Sequence, residues 1–318
     1  MPSVTEPLWE EERRYQNAAG PVKVRVPAKI NLHLGVGPLR DDGYHEVTTV
    51  YHAVSLYDEI TARPAETLVL TMDGEGTDQL ALDETNLVIR AVQVLAEATG
   101  RPPHARLHLR KQIPLAAGLA GGSADAAATL VACDALWGTG LGREELASIA
   151  ARLGSDVPFL VLGGTALGRG RGEQVSSVLA PGRAWHWVLA LAEGGLSTPD
   201  VYRELDRLRA AGSAPPPAGS SDGILAALRQ RDAAVLAASL VNDLQPAALS
   251  LRPSLQDTLD AGIAAGSLAG IVSGSGPTCV FLCRDAANAD AVARALATSG
   301  TCRAVRTAVG PVPGARLG

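Results

Sequence analysis

The stretch Pro114-Leu-Ala-Ala-Gly-Leu-Ala-Gly-Gly-Ser-Ala124 can bind phosphate. It is a glycine-rich loop that runs into an alanine-rich helical segment carrying Ser123 and Asp125 near its start. The first turn of a helix leaves backbone N–H groups unpaired and carries a partial positive charge, so it attracts anions. Gly118, Gly121 and Gly122 let a ligand approach the backbone with no Cβ in the way. The loop is not a Walker A sequence, since no Gly-Lys-Ser/Thr closes it, and it lacks G-x-G-x-x-G spacing. A tight strand-to-helix connection would also use glycine. Three glycines followed at once by a serine favour the phosphate reading.

Two further clusters carry polar chemistry. Only Lys23, Lys29 and Lys111 are lysines among 28 Lys and Arg residues, so a surviving lysine marks a place that needs a compact ammonium. Lys29 lies beside Asn31, and asparagine is also scarce. Tyr44 and His45 follow an Asp-Asp-Gly turn in a chain that is 3% aromatic, which points to function more than to packing. His45 and His52 have no His or Cys partner at metal-ligand spacing. Asp156 stands two residues before Pro158 and is either a turn cap or a placed carboxylate.

These residues must be held by a mixed α and β framework. Residues 22–36 alternate as a strand, with Pro27 implying an edge, bulge or break near Lys29. Strands are expected at 47–62, 67–72, 105–113 and 185–192, and helices at 86–99, from the glycine loop to about Trp137, and at 143–153. The tract 213–222 is rich in Pro, Ser and Gly and reads as a flexible surface loop. The fold class is α/β or α+β. An acidic leader, 1–20, is expected to be disordered and is not a signal peptide. An N-terminal domain then covers 21–180 and a C-terminal domain 181–318, whose last strand packs back on the first domain.

At 318 residues, 47% hydrophobic and 19% charged, the composition is that of a globular protein. The net charge of −5 argues against a nucleic-acid or polybasic membrane surface. No apolar run reaches membrane-spanning length. Cys133, Cys279, Cys283 and Cys302 read as reduced core residues, which suits the cytoplasm. Monomer and homodimer both stay open.

Three blocks, Pro27-Ala-Lys-Ile-Asn-Leu32, the glycine loop and Ser273-Gly-Ser-Gly-Pro277, together resemble the galactokinase, homoserine kinase, mevalonate kinase and phosphomevalonate kinase superfamily. Asp42-Gly-Tyr-His45, Leu153-Gly-Ser-Asp-Val-Pro158, Thr198-Pro-Asp-Val-Tyr202 and Asn242-Asp-Leu-Gln245 resemble its 4-diphosphocytidyl-2-C-methyl-D-erythritol kinase branch. The resemblance covers about residues 22 to 310. It implies a two-domain small-molecule kinase fold, with a ribosomal-protein-S5-like N-terminal domain, a ferredoxin-like C-terminal domain and the site between them. It also implies ATP and Mg2+, with transfer of the γ-phosphoryl group to the 2-hydroxyl of a cytidine diphosphate-linked acceptor in the non-mevalonate isoprenoid precursor pathway. Another kinase of the superfamily, of homoserine or mevalonate type, is the alternative, as is a non-catalytic nucleotide-binding regulator. The regulator should have lost Lys29 or Asp156; both are present.

On that resemblance, Asp156 accepts the proton of the acceptor hydroxyl, chiefly by orienting it, because carboxylates are weak bases toward alcohols. Lys29 stabilises the charge that develops on the oxygens. Pro114, Leu115, Ala116, Ala117, Gly118, Leu119, Ala120, Gly121, Gly122, Ser123 and Ala124 hold the ATP phosphates. Ser123 is a phosphate or magnesium ligand, or the helix N-cap. The family more often has Gly at positions 116 and 120 and Ser-Asn at 124 and 125, so this loop acts through its backbone; Asp125, an anion beside a polyanion site, faces away or caps. Asn86 lies on the adenine side or caps its helix. Tyr44 and Tyr202 flank the cytosine, with His45 on its hydrogen-bonding edge and Asn31 on the acceptor hydroxyls. Gly274, Ser275 and Gly276 close over ligand or only turn the chain. Lys111 reaches the nucleotide phosphates or is a solvated strand end.

Overall fold

Strand β1 (Val22–Leu39) and β2 (His45–Arg63) form a long antiparallel pair, and a computed structural model of the chain describes residues 20–179 and 183–318. The leader expected at 1–20 therefore lies, except for Gly20, outside the described residues. The register of the pair shifts between Pro27 and Ala28, where proline has no N–H to give to a ladder, and again between Asn31 and His33. Both shifts flank Lys29 and Asn31. The reading of Pro27 as a bulge within a strand thus matches the structure.

The first sheet runs β12-β1-β2-β4-β3. Here β3 (Val69–Gly74) is parallel to β4 (Arg106–Lys111), and β12 (Arg316–Leu317) pairs with β1 at Val24 and Arg25. Strands β5 (Thr165–Arg169) and β6 (Gln174–Ser177) extend it from β2, and the short β8 (Val241–Asn242) lies parallel to β1. The connection from β3 to β4 includes helix α1 (Leu87–Thr99), which packs on α2 (Gly121–Trp137) and α3 (Arg143–Ala150), while α4 (Val157–Leu162) packs on α2 and α3.

A second, antiparallel sheet runs β11-β7-β10-β9, from Ala304–Gly310, Trp185–Leu191, Cys279–Cys283 and Ala269–Val272. The chain changes sheets between β6 and β7. Strand periodicity divides this sheet between two cores. Trp187, Leu189, Val280 and Leu282 join the core of the first sheet. Val188, Ala190, Cys279, Phe281 and Cys283 pack on the other face with Leu255, Leu259, Val292 and Leu296. Those last four lie on helices Ser254–Ala264 and Ala286–Ser299. The four cysteines are free; burial pushes the Cys133, Cys279 and Cys283 thiols up to about 12. Burying one face of the second sheet on the first fixes the two halves against each other and leaves a cleft along their seam.

Candidate active site

The cleft is a cavity of about 980 Å³ lined from both halves, by Lys29, Asp156 and the glycine loop on one side and by Tyr202, Gly274 and Ser275 on the other. Its floor is the glycine loop. The helix α2 begins at Gly121, two residues earlier than Ser123, and its N-cap is Ala120, which supplies no side-chain cap. Ser123 is therefore not the cap; its hydroxyl belongs to the first turn and lines the cleft. Ala116 and Ala120 take positive φ, 47° and 57°. These are the two positions where the resembled family prefers glycine, and an L-residue pays about 1–2 kcal/mol for that conformation.

The expected phosphate-binding residues divide into three groups. Ala116, Ala117, Gly118, Ala120, Gly121, Gly122 and Ser123 line the cleft. Pro114 and Leu115 border a separate cavity of about 320 Å³ on the far side of the loop. Leu119 and Ala124 are buried in the core. Gly118 allows the loop to touch the other half. A Cβ there would collide with the Ser273 carbonyl, whose own hydroxyl donates to Gly118 O at 3.0 Å.

Lys111 does not point at the cleft, nor is it solvated. Its ammonium donates to Asp58 Oδ2 at 2.6 Å and to Asp125 Oδ2 at 2.7 Å, with all three side chains buried. Asp58 Oδ1 also accepts from the N–H groups of Gln112 and Ile113. Both ends of the glycine loop are thus tied to one ammonium. Burial opposes the charge on Lys111, but Asp125 and Asp58 outweigh it and raise its pKa. Burial also raises the Asp125 carboxyl, against the pull of Lys111. Asp125 faces away from the loop's open side, as the sequence reading expected of an anion near phosphates.

Lys29, at the β1 shift, ties its backbone N–H to Leu119 O at 3.2 Å and aims its ammonium into the cleft. The ammonium donates to Asn31 Oδ1 at 2.8 Å and stands 3.7 Å from Asp156 Oδ2. Asn31 is oriented in turn by donating to Thr49 Oγ1 at 2.8 Å, and Thr49 donates to His33 O. Asp156 precedes α4 with Pro158 in the first turn, yet its side chain makes no capping bond. The carboxylate is left free to face the cleft. Beneath it lies Tyr51, its ring stacked on Phe159 at 4.8 Å. The Tyr51 phenol is held protonated first by burial and then by the charge of Asp156.

The far end of the cleft is aromatic. The His45 and Tyr202 rings stack at 5.3 Å, and Tyr44 is exposed at the lip with the Arg171 guanidinium 4.8 Å from its ring centroid. His45 Nδ1 is 3.0 Å from Gly37 O and Nε2 is 3.2 Å from Asp206 Oδ2. The hydrogen-bonding edge of His45 is thus held by Asp206. Burial, then the charge of Asp156, pushes the Tyr202 phenol up to about 12. Gly274 and Ser275 reach the cleft; Gly276 lies behind them. Ser275 Oγ is 2.9 Å from Thr198 Oγ1, and Asn242 Nδ2 donates to Gly274 O at 2.8 Å.

Asn86 lies outside the cleft. Its Oδ1 accepts from Val88 N at 2.9 Å as the α1 cap, and its Nδ2 donates to Ala81 O at 2.8 Å; the neighbouring Leu87 is the one that reaches the cleft. Sequence reasoning missed Thr49, Asp206, Tyr51 and Arg171. Only Tyr51 had a usable signal, an aromatic in a chain poor in them. The tract 213–222 is partly anchored, since Ala218 N donates to Asp243.

With this geometry in place, comparison with known proteins is informative. The family models described as GHMP kinases N terminal domain and GHMP kinases C terminal match residues 86–164 and 224–301. A 4-diphosphocytidyl-2-C-methyl-D-erythritol kinase of Salinispora tropica is 70% identical over 99% of this chain and 100% of its own length. Its counterpart in Rhodococcus jostii is 58% identical over 93% and 95% of the two chains. A crystal structure of 4-(cytidine 5'-diphospho)-2C-methyl-D-erythritol kinase superposes with a TM-score of 0.73 at 32% identity, covering 90% of this chain and 98% of that one. A homoserine kinase from Cytophaga hutchinsonii, at 21% identity and a TM-score of 0.72 over 95% of this chain and 99% of its own, shares the fold.

Proposed function

Since the chain belongs to the GHMP kinases, and within them to the 4-diphosphocytidyl-2-C-methyl-D-erythritol kinase family, we propose how its cleft divides the work of that reaction. The reaction is ATP-dependent phosphorylation of the acceptor's 2-hydroxyl, in the non-mevalonate route to isoprenoid precursors. In the proposed arrangement ATP lies along residues 116–123, the cytosine lies against Tyr44, His45 and Tyr202, and transfer occurs at Lys29 and Asp156. The domain between about 21 and 180 carries the ATP side, and 181–318 closes the acceptor side.

Phosphoryl transfer needs positioning and charge neutralisation more than covalent help. Backbone N–H groups at the start of α2 would receive the phosphates, helped by the helix dipole. Asp156 would accept a hydrogen bond from the acceptor hydroxyl, orient it in line with the γ-phosphorus and take its proton late. Lys29 would counter the charge on the transferred oxygens. Tyr51 lines the cleft beside Asp156 and is packed in place by Phe159. Asn31, fixed by Thr49, would hold an acceptor hydroxyl.

Magnesium fits as a partner of ATP. The ion needs one or two protein oxygens and takes the rest from phosphates and water. Ser123 supplies a hydroxyl in the first helical turn, within the cleft. When bound there it would neutralise phosphate charge. Among the described residues no group of three or more His, Cys, Asp or Glu side chains could hold a metal without such help. No helix among them is long and apolar enough to cross a membrane.

The observation that carries the assignment of roles is the Lys29–Asp156 pair, placed where the glycine loop meets the acceptor side. ATP consumption measured with the cytidine diphosphate-linked acceptor, with homoserine and with mevalonate, each with and without magnesium, tests it. Turnover is expected with the first acceptor and magnesium only. Efficient turnover of homoserine or mevalonate in its place would overturn the reading.

A further inference from the structure

The acceptor of the proposed reaction strings a base, a ribose and a diphosphate ahead of the hydroxyl that is phosphorylated. With its base at Tyr44, His45 and Tyr202 and its hydroxyl at Asp156, the diphosphate must cross the wall between them. That wall includes the turn Gly170-Arg171-Gly172 between β5 and β6.

The turn is anchored toward both ends of the cleft. On the base side, Gly170 O accepts from Val47 N at 2.7 Å, two residues from His45. On the reacting side, a Cβ on Gly172 would run into Tyr51 Oη and come within 3.8 Å of Ser155, the neighbour of Asp156. Within the turn, Arg171 N donates to Glu173 Oε2 at 2.7 Å and Gly172 N to Arg169 O at 3.0 Å. The backbone is therefore fixed while the guanidinium stays in the cleft over Tyr44.

The other cations of the cleft are already engaged. Lys29 is held by Asn31 and Asp156, and Arg203 by Asp200. Among the described residues no carboxylate pairs with the Arg171 guanidinium. A planar guanidinium matches two oxygens of a diphosphate at once, a geometry that an ammonium cannot copy. We propose that Arg171 is the specificity residue that binds the diphosphate of the nucleoside diphosphate-linked acceptor. By resting on Tyr44, it couples recognition of the diphosphate to recognition of the base. This rests on the acceptor assignment above.

Calorimetric titration with cytidine and with cytidine diphosphate, alongside steady-state kinetics, tests the proposal on the full chain. Wild type is expected to bind the diphosphate more tightly than the nucleoside. Arg171→Gln should abolish that preference and raise the acceptor KM on the order of 10- to 100-fold, the loss of a charged hydrogen-bonding pair. The KM for ATP should stay within about twofold, and Arg171→Lys should restore only part of the preference. An Arg171→Gln protein that keeps the wild-type preference overturns the proposal, as does one that weakens nucleoside and diphosphate equally. Wild type that binds neither ligand and does not turn over the acceptor instead overturns the acceptor assignment itself.

Discussion

The Lys29 ammonium stands 3.7 Å from the nearest carboxylate oxygen of Asp156, farther than its 2.8 Å bond to Asn31. Both groups face the cleft, where one hydroxyl placed beside them could reach each. Asp156→Asn and Lys29→Ala should each fold, and each should lower kcat by about 10²- to 10⁴-fold. Circular dichroism and single-turnover kinetics check this. Near-wild-type kcat in either variant would remove that residue from the reaction.

The buried triad around Lys111 gives a prediction that separates stability from positioning. Lys111→Met leaves Asp58 and Asp125 without their cation and should cost about 3–5 kcal/mol in a denaturant titration. Adding Asp58→Asn and Asp125→Asn removes the stranded charges and should recover most of that loss. The KM for ATP should nonetheless stay raised in the triple variant, since the loop has lost its common tether. Recovery of both quantities would reduce the triad to a stability element.

Gly118 and Ala120 both adopt positive φ, yet they should respond oppositely to substitution. Gly118→Ala adds a methyl against the Ser273 carbonyl and should destabilise by about 1–3 kcal/mol while impairing ATP binding. Ala120→Gly relieves an unfavourable backbone conformation and should leave Tm at or above that of wild type. Thermal melts of the two variants decide it; equal losses in both would contradict the geometry.

His52 sets a pH dependence. It is fully buried, with Nδ1 2.8 Å from Thr165 Oγ1 and its ring edge-on to Trp187. Burial lowers its pKa to about 3 from the ordinary 6.5, the Gly310 backbone opposing only in part. Between those values the unfolded chain binds a proton that the folded chain does not, so stability rises with pH there. Its contribution is complete above about pH 6.5 and is lost as pH falls toward 3, at up to ~1.4 kcal/mol per pH unit. Denaturant midpoints across pH 4–7 should show a shallower slope in His52→Gln. An unchanged slope would assign the acid sensitivity to other groups.

Much of the site was legible because its residues break local habit. A lysine in an arginine-rich chain, a tyrosine in a chain poor in aromatics, and glycines bunched before a helix are visible without coordinates. The apolar run over 185–192 also gave a strand, found at Trp185–Leu191. Pairings across the chain were not legible. Asp206 meets His45 because the helix Thr198–Ala210 comes against the start of β2, and Thr49 steers Asn31 because β1 pairs with β2. Arg171 was hidden by composition, one arginine among many. The start of α2 was misplaced because nothing in an alanine announces a left-handed backbone; the tertiary setting of Ala120 imposes it. Lys111 looked like a phosphate ligand by its position in sequence, but its strand turns it into the core.

The contact between Ser273 and Gly118 joins the two loops of the proposed site. The loop proposed to lie beneath the ATP phosphates and the loop bearing Gly274 and Ser275 share that hydrogen bond, and Thr278 N adds a second to Ala117 O at 3.3 Å. A displacement of one loop on binding is therefore felt by the other. By thermodynamic reciprocity, whatever factor ATP applies to acceptor affinity, the acceptor must apply to ATP. The seam makes the enzyme's two affinities a single linked quantity.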